Sequence, residues 1–181
     1  MTVRLRITPV LLMLIPPLAI ASNIPHYGAQ FSYVAAGKEP PTLHGFQLML
    51  NYDPNRYQWR QFDVYFDGGF SHFWVNNTPY YTTVNIYSIA PVIRYTFKRR
   101  GPFLPYLDLS IGLAYLNHTR LDSRNLGMHF SFQDRFGIGA LLGNKKVSIG
   151  IHAVHYSNAH LSGHNSGITA PLVLDIGYRF S

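Results

Sequence analysis

A histidine and a serine, His155 and Ser157, stand two residues apart at the end of an alternating apolar row, Val147, Ile149, Ile151 and Ala153. In an extended strand, residues i and i+2 share a face and lie roughly 6.5 Å apart along the backbone. An imidazole at that distance reaches a serine hydroxyl, which is the minimum equipment for a base-activated nucleophile. The opposite phase holds Ser148, Gly150, His152, Val154 and Tyr156, so the pair leaves the strand by its apolar face. Polar chemistry on an apolar wall points to a lipid substrate.

The preceding segment supplies a carboxylate. Met128, Phe130, Phe132, Phe136, Ile138, Ala140 and Leu142 alternate as a second apolar row, and Asp134 interrupts it. With Asn144-Lys145 as the two-residue turn, 143 pairs with 146 and Asp134 falls directly opposite His155 on the same face. A carboxylate on a lipid-facing wall is costly unless paired. A histidine partner would relieve that cost and stabilise imidazolium.

The elements that must position these groups read as eight strands, at roughly 27–36, 43–52, 58–73, 83–97, 104–116, 126–142, 147–158 and 170–180. Connections at 53–56, 98–102 and 143–146 are short. Those at 37–42, 75–82, 117–125 and 159–169 are mostly longer. Short turns at one end and long loops at the other, with an even strand count, predict an all-β, eight-stranded antiparallel transmembrane barrel of the outer membrane. Asp108, Gln133, Arg135, Asp175 and Arg179 fall on inward phases and would plug the narrow lumen. His155 and Ser157 then project outward near the outer leaflet, where a Gram-negative cell keeps its lipopolysaccharide.

Composition agrees. Aromatics are 15% of the chain, with 13 Tyr and 12 Phe, whereas charged residues are 13%, about half the usual share in a soluble domain. No stretch of the mature chain is long and apolar enough for a membrane helix. Residues 1–21 read as a signal peptide, with Arg4 and Arg6, an apolar run and an Ala19-Ile20-Ala21 cleavage site. Residues 22–181 form a single barrel domain. Removing Arg4 and Arg6 from the 15 basic residues leaves 13 against 8 acidic ones, a balance of +5. In an exported chain that favours anionic lipid surfaces over nucleic acid. There are no cysteines, hence no disulfide framework. The nine histidines show no compact ligand spacing, so no metal and no cofactor are expected. Oligomeric state is not legible.

The stretch His155-Tyr156-Ser157-Asn158-Ala159, followed by Asn165-Ser166-Gly167, resembles the PagL family of outer-membrane lipid A 3-O-deacylases. Asn125-Leu126-Gly127, Phe132-Gln133-Asp134-Arg135, Gly137 and Gly139 extend the similarity over residues 125–168. The resemblance implies an eight-stranded barrel that hydrolyses the 3-linked acyl ester of lipid A, with lipid A and outer-membrane lipids as its partners. It makes Ser157 the nucleophile and His155 the general base. Phe132, Asn158 and Asn165 become substrate or oxyanion contacts. The family carries a glutamate shortly after the Asn-x-Gly, and Thr169 stands there instead. Asp134 would supply the missing acid, or Thr169 would orient the imidazole more weakly, or activity would be lost. In that last case the protein would be a non-catalytic barrel with a structural or adhesive role.

Overall fold

A computed structural model describes residues 24–37, 42–76 and 81–180. The proposed signal peptide lies outside the described residues. Eight long antiparallel strands close a barrel: β1 (His26–Ala36), β2 (Leu43–Asp53), β4 (Phe62–Val75), β5 (Thr83–Thr96), β6 (Phe103–Leu116), β9 (Phe130–Leu142), β10 (Val147–Ser157) and β11 (Ile168–Phe180). Their order around the wall is β2-β1-β11-β10-β9-β6-β5-β4, and pairing of β4 with β2 completes the ring. Three two-residue strands, β3 (Gln58–Trp59), β7 (Arg120–Leu121) and β8 (Arg124–Asn125), belong to the connections.

The alternation expected from the sequence appears as inward and outward phases. Ile111, Leu50 and Ile89 point outward with 65–70% of their surface exposed. Facing water, such side chains would each forfeit about 1.5–3 kcal/mol of burial; facing lipid they lose nothing. Inside, the lumen is filled. Its lower half, toward the short turns, holds charge: Arg94 donates to Asp108 at 2.7–2.8 Å and to the Tyr65 hydroxyl at 2.9 Å, and Arg135 pairs with Asp67. Its upper half is apolar, with Phe73, Val84, Ile86, Leu116, Leu121, Val154 and Ile168 packed beneath the long loops. Asp108, Gln133 and Arg135 are buried inside, Asp175 meets His152, and Arg179 reaches Asp53 at the lower mouth.

Two strand starts lie four residues later than expected. The run from residue 58 is not one strand, because Arg60 adopts a left-handed φ of 56° and folds Gln58-Trp59 back onto Phe62-Asp63. The sixth long strand starts at Phe130 rather than 126. Gly127 has φ 81° and donates its N–H to Asn125 Oδ1 at 3.0 Å, which turns the chain before the ladder begins.

Candidate active site

Three adjacent strands bring the candidate groups to one outward patch near the upper rim. The turn after β9 sets the first register: Leu142 pairs with Val147, so Asp134 stands opposite His155 and Phe132 opposite Ser157. This is the register the two-residue turn predicts. Between His155 and Ser157, Tyr156 points inward and anchors the strand. Its ring meets Phe73 edge-on at 5.9 Å, and its hydroxyl accepts from Gln47 at 3.0 Å.

The second register contains a β-bulge. Below it His152 pairs with Val173; above it Val154 pairs with Ala170 and His155 with Thr169. Pro171 and Leu172 together therefore oppose Ala153. The extra residue reverses the phase of β11, so Leu172 and Thr169, three apart, both face outward. Proline lacks the N–H a regular ladder would use and commonly marks such a site. The result is a 2.8 Å hydrogen bond between His155 Nδ1 and Thr169 Oγ1. Of the two groups proposed to support the imidazole, the structure brings Thr169 to the ring nitrogen. Asp134 is its neighbour across the ladder and makes no hydrogen bond to it. In the tautomer that carries the proton on Nδ1, the ring donates to Thr169 and Nε2 keeps its lone pair. Neither Nε2 nor Ser157 Oγ has a hydrogen-bond partner among the described residues.

The loop from Asn158 to Gly167 caps this patch. An oxyanion role for Asn158 does not fit its geometry, because its donors are already used. Its backbone N–H donates to Asn165 Oδ1 at 2.9 Å, and Nδ2 lies 2.8–2.9 Å from Leu126 O, Ser162 Oγ and His164 O. Asn158 is instead the buried knot of the loop. The bond it gives to Asn165 Oδ1 fixes that amide and leaves Asn165 Nδ2 with one long contact, 3.5 Å to His160 Nδ1. Two glycines complete the cap. A Cβ on Gly127 would collide with Ser162 Oγ and His164 O; one on Gly167, at φ 64°, would press on His155 Cε1 at 3.0 Å. The Asn-x-Gly glycine thus admits the edge of the imidazole. Tyr156, Gly127, Gly167 and the bulge were not singled out for these roles in the sequence; Pro171 within a strand was the readable signal.

Below the pair the wall is grooved. Side chains paired across successive strands form rows, and one row runs Thr169, His155, Asp134 and Ile111, with Pro91 lining the same groove. A groove of about 750 Å³ lies between it and the next row, Ala153, Phe136, Leu109, Ile93 and Val64. A second groove, about 690 Å³, begins at Phe132 and passes Leu113, Ile89 and Gly68. Because barrel strands tilt, both grooves slant down the wall. Among the described residues, no three His, Asp or Glu side chains converge to hold a metal ion.

Comparison with known proteins gives this geometry a context. The sequence profile of the family described as lipid A 3-O-deacylase (PagL) matches residues 44–179. The lipid A deacylase PagL of Pseudomonas aeruginosa is 31% identical over 157 residues, covering 83% of this chain and 88% of that protein. The crystal structure of the outer membrane enzyme PagL superposes with a TM-score of 0.72 at 27% identity, covering 83% of this chain and 98% of that one. Neisserial surface protein A (NspA) shares the fold at 17% identity and a TM-score of 0.56, covering 88% of this chain and 97% of its own. On the extent of the profile match and the identity to the Pseudomonas enzyme, this outer-membrane barrel belongs to the PagL family of lipid A 3-O-deacylases.

Proposed function

We propose that the protein hydrolyses the 3-linked acyl ester of lipid A with Ser157 as nucleophile and His155 as base, and that the work of the family's glutamate is divided between Thr169 and Asp134. Ser157 Oγ attacks the ester carbonyl while His155 Nε2 takes its proton. Asn165 Nδ2 donates to the oxyanion that forms. Collapse breaks the bond to the sugar oxygen, which leaves with the proton held by His155. Water then attacks the acyl-serine, passing a proton to Nε2, and frees the fatty acid and Ser157.

The acid of a Ser-His-acid triad both orients the imidazole and stabilises the imidazolium. Thr169 provides orientation through its hydrogen bond but no charge. Asp134, a direct cross-strand neighbour with Cβ atoms about 4.5–5.5 Å apart, provides negative charge at a wall where lipid screens little. The lipid's acyl chain lies in the slanting groove beneath His155, its sugar at the level of the Asn158–Gly167 loop. The observation that carries the reading is the 2.8 Å contact of His155 Nδ1 with Thr169, which leaves Nε2 available on the face it shares with Ser157.

Mass spectrometry of lipid A from cells with and without the protein tests the reading. Loss of one ester-linked 3-hydroxyacyl group, absent with Ser157→Ala, is the expected result. Unchanged lipid A in cells with folded protein in the outer membrane overturns it and favours a structural or adhesive barrel.

A further inference from the structure

The charge of this barrel is sorted by height. Lys98, Arg99 and Arg100 occupy the turn between β5 and β6, and Lys145 and Lys146 the turn between β9 and β10; all five are exposed. The two turns are neighbours at the lower rim, because β6 pairs with β9 and Phe103 stands opposite Leu142. None of the five makes an ion pair among the described residues. The acids at this end, Asp53 and Asp63, lie on β2 and β4, and Asp53 is already engaged by Arg179 at 3.6 Å. Five unpaired cations on two adjacent turns repel one another. Exposed aromatics, Phe97 and Phe103 at one turn and Tyr178 beside the other, sit at the same height. Such rings settle at the level of lipid headgroups. Among the described residues the upper end shows no such arc: in its β7–β8 hairpin Arg120 and Arg124 flank Asp122, and Arg120 rests on the Tyr81 ring at 5.6 Å.

We infer that this arc of cations binds anionic phospholipid headgroups of the periplasmic leaflet. A layer of phosphates at the aromatic level turns mutual repulsion of the five cations into attraction. The inference rests on the outer-membrane placement of the barrel and not on the ester chemistry. It bears on the site all the same, because β9 and β10 rise from the Lys145-Lys146 turn to Asp134 and His155. Holding that turn at the lower interface fixes how deep the site sits in the outer leaflet.

The test is spin-label electron spin resonance on the full mature protein in phosphatidylcholine bilayers, with trace spin-labelled phosphatidylglycerol or phosphatidylcholine. The motionally restricted fraction gives the relative association of each lipid. At low salt phosphatidylglycerol is expected to associate about fivefold more strongly, the worth of roughly one interfacial cation, with the preference falling toward one near about 1 M salt. A combined variant, Lys98→Gln, Arg99→Gln, Arg100→Gln, Lys145→Asn and Lys146→Gln, loses the preference. Asparagine suits position 145 because its φ is 63°. A variant with Arg120→Gln and Arg124→Gln at the upper rim keeps it. Equal association of the two lipids with the unaltered protein overturns the inference. So does a preference that survives the five substitutions or disappears with the two upper ones.

Discussion

His152 and His155 lie three residues apart on β10 and face opposite sides of the wall. Inside, His152 is held at both nitrogens, with Asp175 2.8 Å from Nδ1 and Gln47 Oε1 2.9 Å from Nε2. Outside, His155 is held at Nδ1 alone, by a hydroxyl. The stronger, carboxylate partner thus goes to the histidine that is not beside the proposed nucleophile, Ser157. A buried imidazole needs every polar atom satisfied, and the lumen supplies that. The base proposed at His155 needs one nitrogen left open, and on the outer wall Nε2 makes no hydrogen bond among the described residues.

The contrast is broken most severely at the nucleophile. Ser157→Ala should lower deacylation by at least about 10⁴-fold, measured as initial rate on purified lipid A. Next comes the phase of β11. Exchanging its neighbours, Thr169→Ala with Ala170→Thr, keeps composition but sends the hydroxyl into the lumen. With Thr169 outward and Ala170 inward, as the bulge dictates, the exchange should cost about 10- to 100-fold, the worth of a hydrogen bond to a charged group. Retained activity would mean that β11 runs in the other phase. The smallest effect on rate should come from the inner histidine. His152→Gln should cost about 1–3 kcal/mol of stability by leaving buried partners unpaired. Turnover per folded molecule should stay within about twofold, since a loss below ~0.4 kcal/mol is what that corresponds to. A large drop in turnover with the fold intact would erase the distinction between the two faces.

How much of this was readable follows from what each feature depends on. Strand phases depend on local alternation, and the rows ending at Leu142 and beginning at Val147 were plain. The Gly143–Lys146 turn is tight enough to set the β9–β10 register, so Asp134 opposite His155 was also legible. Other features depend on a single backbone torsion or on distant partners. Arg60 at positive φ stands in Gln58-Trp59-Arg60-Gln61, where no glycine or proline marks the turn. The bulge at Pro171-Leu172 shows only as a proline within the strand and an odd spacing between Leu172 and Thr169, and position 169 reads as loop. Asn158 reads as a free polar group beside the serine, because the carbonyls and hydroxyl that occupy it, on Leu126, His164 and Ser162, come together only in the folded cap.

The central claim, that orientation and charge are supplied by different residues, is tested most directly by a double-mutant cycle. Initial rates of lipid A deacylation are measured for the parent protein, Thr169→Val, Asp134→Asn and the combination. We expect Thr169→Val to cost about 10- to 100-fold and Asp134→Asn about tenfold, with the double variant losing roughly the product, since each removes a separate contribution. Full activity of either single variant, or a double variant no slower than the worse single one, would contradict the division of labour at His155.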